Sequence, residues 1–305
     1  MSDPSTEPVD EQPAKVLVPG PGIYNLAETD YHADPVPGGS LSSTGARKLL
    51  ESCPAKYQHW RQQLEAPKAA WDEGSAAHKL VLGTGPELVR IAGDGKSGPD
   101  TWNTAAVKEQ VAAARLAGQI PLKPRQWEQV HGMAEALQAH PLAAALLAPG
   151  VGAAEQTIVW QDEWTGVMCR ALIDHLWHPV AAGAMFYVPD YKTAVSAHPD
   201  DVARSIADWG LHIQGWWYKQ AVKAAGRAGP DTEFALVVQE KAEPYLVSVV
   251  IPDREALEAG GLRARDAINT YAECSASGVW PGYSPQGVPV SLPPWELAKA
   301  GVSQW

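Results

Sequence analysis

Apolar residues follow two different rhythms along the chain. From "SLSSTGARKLLESCPAKYQHWRQQL" the spacing is helical, with Ser42 or Ser43 as candidate N-cap and Leu49, Leu50, Tyr57 and Trp60 as apolar positions. Pro54 kinks or splits this stretch. "AAWDEGSAAHKLVLG", "DTWNTAAVKEQVAAARLAG" and "KPRQWEQVHGMAEALQAHPLAAALLA" continue the helical period between Gly/Pro loops. At Glu155 the texture changes. "EQTIVWQ", "GVMCRALIDHLWH" and "AMFYVPDYKTA" are short, apolar and partly alternating, as strands are. One long helix, "DDVARSIADWGLHIQGWWYKQAVKAAG", follows, then a hairpin from "EFALVVQE" and "YLVSVVI", and a last helix, "DREALEAGGLRARDAINTYAECSAS". The pattern predicts an α/β protein with a mixed central β-sheet flanked by helices: a helical part over 40–150, an α/β core over 151–275 and an irregular segment over 276–305. Residues 1–22 lack periodicity and are rich in Pro, Gly and acid, which predicts a flexible acidic tail ahead of a single domain over 23–305.

Composition narrows the class. At 305 residues and 45% hydrophobic content the chain can bury a substantial core. It holds no apolar run long enough to span a bilayer, and "MSDPSTEPVDEQPAK" is acidic instead of a basic region followed by an apolar one, so a cytoplasmic protein is expected, with no membrane partner. Cys53, Cys169 and Cys274 lie far apart, which excludes zinc-type spacing and a disulfide framework. The net charge of -11 speaks against long-range attraction to nucleic acid, but residues 1–34 carry seven acids against Lys15, leaving only -5 on the remainder. A local basic groove is compatible with that balance.

"FYVPDYKTAVS" sets Asp190 and Lys192 two residues apart in a strand, so both side chains project from one face, and Pro189 suits an edge strand or a bulge. A hairpin through "HPVAAG" sets Asp174 of "CRALIDHLWH" beside Asp190. Two carboxylates and an ammonium are the groups that metal-assisted phosphodiester hydrolysis requires: hard oxygens for Mg²⁺, and a positive charge near the attacking water or the charge that develops on phosphorus. The plain alternative is a surface ion pair worth at most about 1 kcal/mol. Spacing alone does not choose between them.

The surroundings do. "VPDYKTA" resembles the D-x-K strand of the PD-(D/E)xK nuclease superfamily, and Asp174 resembles its preceding metal-ligand aspartate. His78 in "WDEGSAAHKLVLG" resembles the histidine that such nucleases place ahead of the acidic motifs, and Gln214 and Tyr218 in "HIQGWWYKQAV" are similar to the Q-x-x-x-Y helix of RecB-type nucleases. More narrowly, "LSSTGARKLLESCPAKY", "EQTIVW", "VQEKAEPYLVSVV" and "YAECSASGVWPGY" make residues 40 to 295 resemble the RecE-type exonucleases, the C-terminal nuclease of exonuclease VIII and its phage relatives.

That resemblance implies a restriction-endonuclease-like core and a Mg²⁺-dependent exonuclease on ends of linear double-stranded DNA, with Mn²⁺ able to substitute. It further implies a phage-encoded enzyme in the bacterial host cytoplasm, assembled as a ring-shaped homo-oligomer and generating single strands for a RecT-like annealing protein in recombination. Asp174, Asp190 and His78 would be metal ligands with the Tyr191 carbonyl, Glu155 could join them, and Lys192 would orient or activate the water. Gln214 and Tyr218, on one helix face, would contact DNA phosphate or brace the metal site, unless they only serve an amphipathic helix flanked by Trp216 and Trp217. Ser43, Arg47 and Lys48 near a helix N-terminus could hold a terminal phosphate. The iron-sulfur branches of the superfamily need four cysteines, so no cluster is expected. The rival readings are an endonuclease or nickase with the same site, and a non-catalytic DNA-binding protein that keeps the fold.

Overall fold

The alternating runs after residue 150 form the frame on which everything else is mounted. The computed structural model describes residues 16–63, 69–95, 98–229 and 231–300. The first half carries β1 (Gly22–Tyr24), α1 (Glu28–His32), β2 (Leu41–Ser42), α2 (Ser43–Glu51), α3 (Pro54–Arg61), α4 (Ala69–Leu82), β3 (Leu88–Arg90), α5 (Ala105–Leu116), β4 (Ile120–Leu122), α6 (Pro124–Ala139) and α7 (Pro141–Leu146). The second half carries β5 (Gly152–Gln161), β6 (Met168–Trp177), β7 (Phe186–Ala194), α8 (Pro199–Asp208), α9 (Leu211–Ala224), β8 (Thr232–Glu240), β9 (Val247–Val250), α10 (Arg254–Ser277) and α11 (Pro294–Lys299).

The expected central sheet is divided in two. β5 and β6 form an antiparallel hairpin, β1 adds antiparallel to β5, and β2 adds parallel to β6. β7 pairs parallel with β8, and β8 antiparallel with β9, as a separate three-stranded sheet. β3 and β4 make a small parallel pair of their own within the helical half. Both larger sheets are mixed and flanked by helices. One face packs Phe186, Val188, Phe234, Leu236 and Val238 against α9 and α10. The other sets Tyr191, Ala235 and Val237 against α4, α6 and α7. Phe234 and Leu236 are fully buried, and each side chain so removed from water stabilises the fold by about 1.5–3 kcal/mol.

Helix boundaries follow local chemistry. Ser42, not Ser43, caps α2, its hydroxyl accepting from the Gly45 amide at 3.0 Å. Pro54 splits the first helical stretch and stands at the start of α3, where its missing N–H is harmless. The single long helix expected over residues 200–226 is two helices. Gly210, at φ 62°, ends α8 and caps α9 in a left-handed conformation that a residue with a β-carbon enters at a cost. α10 then crosses α9 at very short range: a β-carbon at Gly260 would lie 2.2 Å from the His212 carbonyl oxygen. α11 gives the expected irregular C-terminal segment one short helical turn pair.

The predicted tail over 1–22 ends sooner than its composition implies. Residues 1–15 lie outside the described residues, but Val18 is buried against Val36 and Val159, and its amide donates to the Pro35 carbonyl at 3.0 Å. A buried ion network secures the segment that follows. Arg170 of β6 donates to the Ser40 carbonyl at 2.9 Å and lies 3.1 Å from Asp34 Oδ1, while the Ser40 amide and hydroxyl donate to the two Asp34 oxygens. Among the described residues no helix is long and apolar enough to cross a membrane.

Candidate active site

The candidate site lies at the seam between the two mixed sheets. Asp174, on β6, projects toward β7, where its Oδ2 accepts from the Tyr191 amide at 2.8 Å. A side chain thus takes the place of a backbone ladder bond, which explains why the sheet is split there. Asp190 and Lys192 share one face of β7, as their i, i+2 spacing dictates. Asp190 is fully buried, and its Oδ1 accepts from Gln214 Nε2 of α9 at 2.9 Å. Its Oδ2 is ion-paired with the Lys192 ammonium at 2.6 Å. The Lys192 side chain remains 35% exposed.

His78 reaches the seam from α4, its ring edge-on to the Tyr191 ring with centroids 5.0 Å apart. Tyr218 stands one turn beyond Gln214, buried against Phe234 and close to both aspartates. The Gln214 and Tyr218 side chains interact with one another in this buried patch. Glu155, on β5, sits opposite Asp174 in the hairpin register at the one step where the ladder is interrupted, with φ 49°. A left-handed glutamate costs about 1–3 kcal/mol, and strain of this kind gathers at functional sites.

Electrostatics bind these groups into one cluster. Burial, reinforced by the charge of Asp174, pushes the Asp190 carboxyl up to about 6 against the pull of Lys192. Burial likewise raises Asp174. Burial alone would lower the Lys192 ammonium, but Asp190 and Asp174 together hold it above its usual value. His78 is pushed down to about 4 by burial and then by Lys192, which keeps a neutral imidazole available as a ligand. Burial raises Glu155, with Glu28 and Asp174 adding to the effect. Glu28, on α1, is a site acid that sequence reading missed; it pairs with His32 at 3.4 Å and lies within electrostatic reach of His78.

The structure therefore brings together His78, Glu155, Asp174, Asp190, Lys192, Gln214 and Tyr218. The three helix-terminus residues fare differently. Arg47 is close enough to depress the Lys192 ammonium, yet its guanidinium is already engaged with the Trp209 carbonyl at 2.7 Å and with Thr44 at 3.2 Å. Ser43 is buried in the first turn of α2, and Lys48 faces Glu51 at 3.8 Å on the exposed side of the helix.

The residues fit a hard divalent cation. Asp190 Oδ2 is a buried carboxylate oxygen whose charge is balanced only by the Lys192 ammonium, and Asp174 supplies a second carboxylate across the seam. Among the described residues no three His, Cys, Asp or Glu side chains converge as a ready-made metal cage. A pair of carboxylates suits Mg²⁺, which keeps several waters and takes one or two carboxylates together with substrate phosphate oxygens.

Comparison with known proteins bears on the same elements. Residues 42–287 match the family described as a PDDEXK-like domain of unknown function (DUF3799). The chain belongs to this PDDEXK-like family. The matched span includes every site residue from Ser43 to Tyr218 named above. The structure also resembles the crystal structure of a "Putative exonuclease" from Eubacterium rectale, with a TM-score of 0.58 over 90% of this chain and 98% of that one. At 11% identity this likeness speaks for the fold alone. No curated protein matches the chain. Membership in the PDDEXK-like family agrees with the superfamily resemblance read from "VPDYKTA", and the mixed sheets flanked by helices are the architecture expected from it.

Proposed function

We propose that the protein is a Mg²⁺-dependent deoxyribonuclease that degrades linear double-stranded DNA from its ends, in the manner of the RecE-type exonucleases. The observation that carries this reading is the D-x-K of β7, with Asp190 and Lys192 paired and Asp174 and His78 both set against Tyr191 between them, in a PDDEXK-like domain. Asp174 and Asp190 would hold the cation, with His78 and the Tyr191 carbonyl beside them and Glu155 facing from β5. When bound, Mg²⁺ would lower the pKa of an attacking water and neutralise charge on the scissile phosphate.

The remaining steps belong to the chain's own groups. Gln214 donates to Asp190 Oδ1, fixing that carboxylate with Oδ2 turned to the Lys192 ammonium, which a cation at Oδ2 would displace. The Lys192 ammonium, held in its charged form by both aspartates, orients the water and faces the charge that develops on phosphorus. Tyr218 backs Gln214 from the next turn of α9. Arg47 adds positive potential at the mouth of the site. A ring-shaped homo-oligomer is the assembly this reading favours, since a chain of net charge -11 gains little from electrostatic steering and would gain processivity by encircling its substrate. Its single-stranded products would serve a strand-annealing partner.

Incubation of linear and covalently closed duplex DNA with the protein and Mg²⁺ tests the reading. Linear DNA is expected to be consumed while closed circles persist. Rapid cutting of closed circles would replace the exonuclease with an endonuclease or nickase; survival of both substrates, with DNA still bound, would leave a non-catalytic DNA-binding protein.

A further inference from the structure

Gln239 is a primary amide in the middle of an apolar strand, fully buried on β8. In the parallel register Tyr191 lies opposite Val237, so Gln239 stands two positions further along the neighbouring strand on the same face, within reach of a long side chain. The Tyr191 hydroxyl donates to Gln239 Oε1 at 2.6 Å. Gln239 Nε2 in turn donates to the Met133 carbonyl of α6 at 2.7 Å and to the Tyr245 carbonyl, between β8 and β9, at 3.3 Å. The amide is thereby satisfied at both ends and tied to three elements.

Tyr191 is the residue between Asp190 and Lys192; within the core under α4, α6 and α7 it also touches the site, its amide donating to Asp174 and its ring lying edge-on to His78. We propose that Gln239 is a positioning residue for the metal site, acting through Tyr191 to fix where the β7 backbone presents its amide and carbonyl and where the His78 ring rests. The proposal rests on the function proposed above. Cohesion alone does not require the Tyr191–Gln239 bond, since apolar residues of similar shape at both positions would orphan neither side chain. What the hydrogen bonds add is direction.

The test separates cohesion from positioning, with Mn²⁺ alone as the calorimetric probe and the metal-free melting temperature as the second readout. Tyr191→Phe leaves Gln239 Oε1 unpaired, and Gln239→Leu takes the partner from the Tyr191 hydroxyl and the donor from the Met133 and Tyr245 carbonyls; both are expected to melt lower and to bind Mn²⁺ at least about tenfold more weakly, the range seen when a group supporting metal ligands is lost. The double variant Tyr191→Phe/Gln239→Leu orphans neither side chain and loses only the same two carbonyl bonds, to Met133 and Tyr245, that Gln239→Leu loses. It is expected to melt higher than Gln239→Leu while its Mn²⁺ affinity stays weak. If affinity returns together with stability, Gln239 only packs the core and the proposal falls while the metal site stands. If the wild-type protein itself binds no Mn²⁺, the metal site and the proposal fall together.

Discussion

Replacing Lys192 with alanine is expected to slow DNA hydrolysis by about a hundredfold or more while divalent-metal affinity stays unchanged or improves. The two effects diverge because the ammonium plays against the cation in the ground state and with the reaction in the transition state. Its nitrogen pairs with Asp190 Oδ2 at 2.6 Å, the oxygen that Gln214 does not engage. A cation arriving at that oxygen must displace the ammonium or tolerate its charge. Removing the side chain eliminates this competition, and it also eliminates the positive charge that would face the pentacovalent phosphorus. DNA binding is expected to survive, since the ammonium sits inside the site. Calorimetric metal titration beside a nuclease assay reports both quantities. Near-wild-type cleavage by the Lys192→Ala protein would reduce the D-x-K to an ion pair on a strand edge.

Asp174→Asn and Asp190→Asn are expected to abolish hydrolysis and metal binding together, because an amide keeps the shape of the carboxylate but not the charge that attracts a hard cation. Asp174→Asn is the cleaner variant. Its amide oxygen can still accept from the Tyr191 amide, so the seam is preserved while the charge is removed. The sign of the stability change follows from the raised carboxyl. Burial lifts the Asp174 pKa in the fold, so the stability contributed by the protonated form is full below the unfolded value near 3.8 and is lost as pH rises through the folded value. At neutral pH the metal-free Asp174→Asn protein should therefore melt no lower than wild type. For the wild type, Asp190 titrates at about 6 in the metal-free protein, so metal affinity should rise from pH 5 to pH 7 as that proton is released. Metal titration at several pH values, with thermal melts of the metal-free proteins, checks both statements. Full activity in either variant would remove the aspartates from the chemistry.

Much of this site was legible because strand geometry is local. Period-two spacing put Asp190 and Lys192 on one face, but the hairpin expected through 178–183 is not formed: β6 and β7 belong to separate sheets, and Asp174 meets β7 through its side chain on the Tyr191 amide. The i, i+4 spacing likewise put Gln214 and Tyr218 on one helix face. The seam was not legible, since periodicity tells which face a residue occupies but not which neighbouring strand supplies its ladder bond. Gly210 escaped notice because the apolar rhythm runs unbroken from Ile206 to Ile213 while the backbone turns left-handed. β1 to β4 are only two or three residues long, too short for alternation to register. Glu28 and Glu155 gave weak signals for different reasons: the first lies on a five-residue helix, and the second adopts a backbone conformation that glutamate rarely takes. Gln239 could have been found, because a lone amide in "EFALVVQE" departs from the buried pattern around it, though it reads as readily as a solvent-facing position.

The anomalous difference map of crystals soaked in Mn²⁺ puts the proposed site to the sharpest test. One or two peaks bonded to oxygens of both Asp174 and Asp190, with the Lys192 ammonium drawn away from Asp190, are expected. Crystals saturated with Mn²⁺ that show no peak at the seam, or a peak only elsewhere, would contradict a metal-dependent nuclease built on these residues.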